Sequence, residues 1–201
     1  MPASFLHFCS VEIDRLIEIL SAITSLWSIW LNTRRKTAGW PIGLVSVTLA
    51  SWVYYRSGLL AECALQAFYF ASGFYGWWKW AASSQLSEDQ SVEILRLRMS
   101  ELIFGILAAL LGSGLIWMTL QQFPGASRPV PDALLTAFSI LAQIWLARRK
   151  IENWLLWIII NTGSVLLYLQ RELWFFALLY LALLYLAVRA YADWKKILRS
   201  C

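Results

Sequence analysis

The segment RRKTAGW, Arg34 to Trp40, recurs as RRKIENW, Arg148 to Trp154, and this recurrence decides how the rest of the chain is organised. The two segments are 114 residues apart (148 minus 34), and their alignment continues without a gap to Trp80 and Trp194. Further identical residues are Thr48, Tyr54, Leu59 and Leu65, which align with Thr162, Tyr168, Leu173 and Leu179. The sequence therefore predicts an internal duplication.

The composition is that of a membrane protein. Of the 201 residues, 60% are apolar and 14% are charged, and the mean hydropathy is +0.60. An ordinary soluble domain carries about 25% charged residues. A soluble core of this size would lack the polar residues to cover it, so we expect an integral membrane protein.

Apolar runs between charged, Gly or Pro residues predict an all-α protein with seven transmembrane helices. The predicted spans are 14–32, 38–56, 59–80, 101–121, 131–147, 151–169 and 173–192. Each repeat holds three spans, in 14–80 and 131–192. Because three is an odd number, the linking span 101–121 is needed to give the second copy the same direction. The result is a 3+1+3 arrangement of parallel repeats, which is a known plan for transporters with a substrate site near the membrane midplane between the halves.

The basic residues predict the orientation of these spans. Thirteen of the 17 Lys and Arg residues fall on one side, and Arg15, Arg56, Arg128 and Arg171 fall on the other. By the positive-inside rule, the C-terminus is cytoplasmic and the N-terminus is outside. The polar stretch 81–100 is then a cytoplasmic loop that is expected to continue as a helix into the fourth span. The stretch 121–131 is an external turn, and Glu152 is expected to form ion pairs with the basic cluster beside it.

Several kinds of function are disfavoured by what the chain lacks. Cys9, Cys63 and Cys201 have no short mutual spacing, and His7 is the single histidine, so we expect no metal and no cofactor. The basic residues lie in short clusters between apolar runs, which argues against nucleic-acid binding. No phosphate-binding GxxxxGK[ST] loop is present. No carboxylate lies in the middle of a span, which argues against coupling to protons or sodium.

Polar and aromatic residues within the spans are the candidate substrate-binding residues. In the sixth span, Trp154, Trp157, Asn161 and Tyr168 lie on one helical face. In the third span, Gln66, Gly73, Trp77 and Trp80 share a face that Tyr69 and Tyr75 flank. The repeat aligns Tyr180 with Gln66, and Trp40 with Trp154. Two amides among aromatic faces suit a flat ligand that is cationic and carries hydroxyl groups.

Structural explanations of the same residues stay open. Trp40, Trp80, Trp154 and Trp194 lie near helix ends, where tryptophan is enriched at the membrane interfaces. Asn161 and Gln66 can instead bond neighbouring helices, and Gly43 and Gly73 can serve close helix packing.

Three segments resemble the PnuC family of vitamin transporters, which bacterial nicotinamide riboside transporters typify. They are GWPIGLVSV at 39–47, LQAFYFASGFYGWWKW at 65–80 and ENWLLWIIINTGSVLLY at 152–168. The last contains W-x-x-W-x-x-x-N at Trp154, Trp157 and Asn161. The second contains Gln66 followed by Y-G-W-x-x-W from Tyr75 to Trp80.

The resemblance implies a seven-helix, SWEET-like transporter that facilitates diffusion of nicotinamide riboside, which a cytoplasmic kinase then traps by phosphorylation. It implies a bacterial inner membrane location and substrate contacts at Gln66, Trp154, Trp157 and Asn161. Thiamine or riboflavin are the alternative substrates, because Gly73 and Ala190 depart from residues common in the family. The implied partners are a small vitamin and the lipid bilayer, and a homo-oligomer is compatible with this interpretation.

A membrane enzyme and a structural membrane subunit are the alternatives to a transporter. A membrane enzyme would need His, Asp or Cys clustered at one membrane face, and the one histidine lies outside the predicted spans. A purely structural membrane subunit would tolerate leucine at Asn161 and Gln66.

Overall fold

The computed structural model describes residues 3–56, 60–84, 92–122, 129–170 and 174–200. Within these residues it contains seven α-helices and no β-strand, which confirms the predicted fold class. The helices are α1 (Ala3–Thr33), α2 (Gly39–Arg56), α3 (Leu60–Ser84), α4 (Met99–Leu120), α5 (Pro129–Ala147), α6 (Asn153–Gln170) and α7 (Trp174–Ser200).

The helix ends differ from the predicted spans mainly at the two ends of the chain. Helix α1 begins at Ala3 and α7 continues to Ser200, beyond the predicted 14–32 and 173–192. The end of α7, DWKKILRS at 193–200, is polar, so an apolar run does not mark it. Helix α5 begins at Pro129, which fits the first turn because a proline there loses no intrahelical bond. Residues 123–128 of the predicted external turn lie outside the described residues.

The chain divides into two compact units, Met1–Val92 and Glu93–Cys201. In the first unit, α1 packs on α2 and α2 packs on α3. In the second unit, α4 packs on α5, α5 on α6 and α6 on α7. The helix expected to link the two repeats therefore lies in the same compact unit as α5 to α7.

By length and composition alone, four of the described helices are able to cross a membrane. These segments are Glu12–Thr33, Met99–Thr119, Val130–Ala147 and Ala177–Ser200. Helices α2, α3 and α6 fall outside that set. They carry tryptophans and polar residues, including Gln66 and Asn161, which lower their hydropathy.

The loop between α1 and α2 closes around a residue in the left-handed region. Arg35 has φ 59°; its N–H donates to the Asn32 carbonyl oxygen at 3.0 Å, and the Lys36 N–H donates to the Leu31 oxygen at 3.0 Å. This is the Schellman pattern, which satisfies the last carbonyl groups of a helix. The same bonds recur 114 residues later: Arg149 (φ 62°) to Leu146 at 2.8 Å and Lys150 to Trp145 at 2.9 Å. The duplication predicted from RRK is therefore present in the backbone.

The segment before α4 is extended, so the expectation that a helix runs through it is wrong for residues 92–98. The Leu95 N–H donates to the Arg149 oxygen at 2.9 Å, and the Ile151 N–H donates to the Leu95 oxygen at 3.0 Å. These bonds hold the segment against the loop between α5 and α6. Glu152 also departs from its expected ion pair, because its Oε2 accepts the Leu97 N–H at 3.0 Å.

The left-handed turn gives a stability prediction at Arg35. Arg35→Gly and Arg35→Ala both remove the guanidinium, but only alanine pays the left-handed cost of about 1–2 kcal/mol. We therefore expect the glycine variant to unfold at a higher temperature in detergent. The control is Ala108→Gly on the exposed side of α4, where glycine should instead lower stability by about 0.5–1 kcal/mol. Equal melting temperatures of the two Arg35 variants would contradict the left-handed turn.

Candidate functional site

Helix α6 buries the amide that sequence analysis singled out. Asn161 is 3% exposed, and its Oδ1 has no hydrogen-bond partner within the described part of the chain. Trp154, on the same buried face, is 2% exposed, and its indole Nε1 is likewise unpaired there. An acceptor and a donor on one helix are thus both left without a protein partner.

The other two residues of the predicted α6 face, Trp157 and Tyr168, lie further along the helix than Trp154. Trp157 and Tyr168 are partly buried, and the ring of Tyr168 stacks on that of Tyr180 in α7, with centroids 5.2 Å apart. The two tyrosines therefore join α6 to α7 with their ring planes within 28° of each other. Aromatic pairs of this kind stabilise by about 0.5–1.5 kcal/mol beyond the area they bury.

Ser164 belongs to the same buried face, although sequence analysis did not single it out. It is 4% exposed and follows Asn161 by three residues, which places it about one helical turn further along. The three-residue spacing between Asn161 and Ser164 is the sequence signal that could have identified Ser164. A hydroxyl and an amide are therefore neighbours on the face of α6 that the second unit encloses.

The four tryptophans considered as interfacial belt residues are instead buried in two equivalent pairs. Their exposed fractions are 3% for Trp40, 0% for Trp80, 2% for Trp154 and 0% for Trp194. Trp40 meets Trp80 edge to face at 5.5 Å and 80°, and Trp154 meets Trp194 at 5.5 Å and 84°. Each pair joins the second helix of a repeat to the third, α2 to α3 in the first repeat and α6 to α7 in the second. The belt interpretation of these four residues is therefore wrong, because each ring is directed at a neighbouring helix rather than at lipid.

In the first unit, the face of α3 predicted from spacing is only partly enclosed. Gln66 and Tyr69 are partly buried, whereas Tyr75 and Trp77 are 36% and 40% exposed. Trp77 therefore does not lie on the buried side with Trp80. The described structure brings Trp40 and Trp80 together, but it does not gather Gln66, Tyr75 and Trp77 around one point.

The glycines of the first unit serve helix packing. A Cβ placed on Gly73 would lie 2.9 Å from Leu44, and one on Gly43 would lie 2.7 Å from Ser28. A Cβ on Gly76 would meet three ring carbons of Trp40. Gly73 and Gly43 therefore allow close approach of helices, as one of the two interpretations of the sequence held. The repeat places Ala190 at the position of Gly76.

The open cavities of the two units do not coincide with the predicted residues. A groove of about 520 Å³ in the first unit is lined by Ile17, Thr48, Leu49, Ser51, Trp52, Tyr55 and Cys63. A groove of about 330 Å³ in the second unit is lined by Leu110, Ser113, Gly114, Trp117, Val130, Ala133 and Leu134. Both are open and mainly apolar. In contrast to these grooves, the α6 face presents a buried acceptor and a buried donor.

Known proteins resemble this chain over nearly its whole length. The family model described as nicotinamide mononucleotide transporter matches residues 15–196. The nicotinamide riboside transporter PnuC of Escherichia coli (strain K12) is 27% identical, over 89% of this chain and 84% of that protein. PnuC of Haemophilus influenzae is 28% identical, over 92% and 82% of the two chains. The riboflavin/roseoflavin transporter RibM of Streptomyces davaonensis is 25% identical, over 88% and 83%.

A solved structure supports the fold. The crystal structure of the vitamin B3 transporter PnuC matches with a TM-score of 0.75 and 24% identity, covering 95% of this chain and 85% of that one. At this identity the likeness shows a shared seven-helix fold.

The contact between Gly76 and Trp40 gives a packing prediction. Gly76→Ala should lower the free energy of unfolding by about 1–3 kcal/mol, because the added methyl group meets a large ring with little freedom to move. The measurement is thermal unfolding of the purified protein in detergent. The matched control is Gly112→Ala in α4, where no heavy atom lies within 4 Å of the added carbon. If both variants melt together, the Trp40 ring does not rest on Gly76.

Proposed function

We propose that this chain, which belongs to the nicotinamide mononucleotide transporter family, carries nicotinamide riboside across a membrane without chemical change. The relatives that match most of its length are named as transporters, and four matched PnuC proteins are named for nicotinamide riboside. The chain is a multi-pass membrane protein of a transporter family rather than an enzyme.

The observation that carries the proposal is the unpaired Oδ1 of the buried Asn161 on α6. Asn161 lies about 12 Å beyond Asn153 along the helix axis, at 1.5 Å per residue, which is well inside the hydrocarbon depth. Leaving a buried acceptor unpaired there costs about 1–3 kcal/mol. A ribose hydroxyl or a carboxamide N–H would supply the missing donor to Asn161. Trp157, about one turn before Asn161 on the same face, suits a flat cationic ring.

The absence of cations on α6 favours a riboside over a mononucleotide. Helix α6, Asn153–Gln170, contains no Lys or Arg, and in α2 the single basic residue is Arg56 in the last turn. In α3 the single basic residue is Lys79, near the end of the helix. Protein sites that hold a phosphate usually supply Arg, Lys or several backbone N–H groups. A substrate held by amides and aromatic rings is therefore expected to be unphosphorylated.

Thiamine is the second candidate substrate, since it also carries a cationic ring and a hydroxyl group. Riboflavin is the third, and the resemblance to RibM supports it. Both keep the fold and the transport class. A structural subunit is the alternative of a different class, and it gives no role to the unpaired Asn161 oxygen.

The cellular setting follows from the same proposal. The chain would lie in a bacterial inner membrane, with the N-terminus outside and the basic loops in the cytoplasm. Transport would be facilitated diffusion by alternating access. A cytoplasmic kinase would trap the riboside as a phosphate ester.

Asn161→Leu tests the site directly. The substitution removes the acceptor but keeps the approximate size of the side chain, so nicotinamide riboside should bind about 10- to 100-fold more weakly. Isothermal titration calorimetry of the protein in detergent measures this. The control is Thr162→Val, because Thr162 is exposed and donates only to the Ile158 oxygen of its own helix at 2.8 Å. Wild-type affinity of a folded Asn161→Leu protein would refute the assignment.

The substrate itself is tested by comparing ligands on the unmodified protein. Nicotinamide riboside should bind at least about tenfold more tightly than nicotinamide mononucleotide, because burying a phosphate without a cation is costly. Uptake into proteoliposomes should show the same order. Tight binding of thiamine alone would keep the transport class and change the vitamin. Preference for the mononucleotide would contradict the argument from missing cations.

A further inference from the structure

In the second unit, an extended strap runs along the loop between α5 and α6. The strap is defined here as residues 95–98, immediately before α4. Leu95 exchanges two backbone hydrogen bonds with this loop, to Arg149 at 2.9 Å and from Ile151 at 3.0 Å. Further along the strap, the Leu97 N–H donates to Glu152 Oε2 at 3.0 Å. The strap is therefore held by main-chain and side-chain bonds together.

Lys150 extends this attachment to α4 itself. Its Nζ donates to Glu101 Oε2 at 2.9 Å and to the Arg96 carbonyl oxygen at 3.1 Å. Glu101 Oε2 also accepts the Arg98 N–H at 2.9 Å, where the helix begins. The Lys150 side chain is only 12% exposed and that of Glu101 33% exposed, so water screens this pair less than a fully exposed one. One lysine thus connects the α5–α6 loop, the strap and the first turn of α4.

A shared apolar core lies beneath these polar contacts. Ala109 of α4 packs with Leu141 and Trp145 of α5, and Leu97 of the strap joins the same cluster. Gly105 allows the close approach, because a Cβ there would lie 2.9 Å from the Trp145 ring. The strap and α4 are therefore held in two ways. Apolar packing attaches them to α5, and polar contacts at the start of α4 attach them to the loop between α5 and α6.

The first repeat keeps the lysine, but the described part of the chain shows no comparable side-chain contact for it. Lys36 is equivalent to Lys150 in the RRK motif, yet its side chain is exposed and has no hydrogen bond or ion pair within the described residues. The α1–α2 loop is contacted through Arg35, whose Nη1 donates to the Val92 oxygen at 3.2 Å. Among the described residues, attachment by a lysine side chain occurs in the second copy only, which makes Lys36 a matched control.

We propose that Lys150 and Glu101 are positioning residues that fix α4 to α5–α7, so that these four helices move as one body during transport. In this view, α4 is part of the second moving unit rather than a linker with independent motion. The inference rests on the proposed transport function for its uptake readout. Its structural content, a fixed distance between α4 and α6, is measurable without transport.

The first experiment replaces the ion pair by a covalent link. Glu101→Cys and Lys150→Cys are introduced together into a parent chain whose Cys9, Cys63 and Cys201 are changed to alanine. Before cross-linking, maximal uptake of nicotinamide riboside should fall roughly tenfold, because a charge-assisted hydrogen bond is lost. A short bis-methanethiosulfonate cross-linker should restore uptake, whereas each single-cysteine variant should not respond.

The uptake outcomes separate the two proposals. If the cross-linked protein binds nicotinamide riboside but no longer transports it, α4 must move relative to the α5–α6 loop, and the inference is overturned. Full uptake by the double variant before cross-linking also overturns it. Failure of the cysteine-free parent and the wild-type protein to take up any candidate vitamin would instead count against the proposed function.

The second experiment does not depend on transport. Spin labels at Leu111 of α4 and Ile159 of α6, both exposed, report the distance between the two helices by pulsed electron paramagnetic resonance. A single narrow distribution is expected, with and without nicotinamide riboside. Lys150→Met should broaden it, and Lys36→Met should leave it unchanged. A broad distribution in the protein with both lysines intact, or equal effects of the two substitutions, would overturn the inference.

Discussion

The fold depends on how each repeat closes the turn between its first two helices. The last carbonyl groups of a helix have no partner within the helix, so they need donors from the residues that follow it. Arg35 and Arg149 supply the solution by adopting the left-handed conformation that brings the next N–H group back to the helix. The turn also fixes where the next helix starts, and therefore where Trp40 and Trp154 lie. In each copy, that tryptophan then meets an equivalent tryptophan of the following helix.

The turns and the tryptophan pairs are common to both repeats, and the other residues of the two copies are free to differ. Where the second copy has Asn161 the first has Val47, and where the first has Gln66 the second has Tyr180. The turn residues and tryptophans stay alike because changes there affect the packing of whole helices. The residues that differ in polarity between the copies, such as Asn161 and Val47, belong neither to the turns nor to the tryptophan pairs.

The parts of this structure that could be predicted from the sequence are those with local signals. Apolar runs predict the seven helices, the RRK recurrence predicts the two equivalent turns, and helical spacing places Trp154 and Asn161 on one face. The environment of the tryptophans could not be predicted in this way. A Trp near a helix end has the same sequence neighbours whether its ring meets lipid or another helix. Burial of Trp40 and Trp154 is decided by partners 40 residues away (80 minus 40, and 194 minus 154).

The extended segment before α4 was missed for a related reason. Residues 92–98 read as helix-compatible, but the backbone groups of Leu95 and Leu97 bond a loop more than fifty residues further along the chain. Trp77 shows the limit in the opposite direction, because correct spacing on α3 did not place it on the buried side. Periodicity reports which residues share a face, whereas the neighbour that covers a face comes from elsewhere in the sequence.

The unpaired oxygen of Asn161 has more weight as a functional sign because several other buried polar groups among the described residues are paired. Ser46 and Ser21 exchange hydroxyl-to-carbonyl bonds at 2.8 and 3.1 Å, and Ser28 donates to the Gly39 oxygen at 2.6 Å. The other unpaired buried side chains among the described residues lie at a helix end or in a loop, within reach of interfacial water: Asn32, Thr37, Trp40, Arg149, Asn153 and Trp154. Asn161 lies two turns inside α6, where a purely structural role would favour leucine or a partner. A ligand that supplies the missing donor explains why neither is found there.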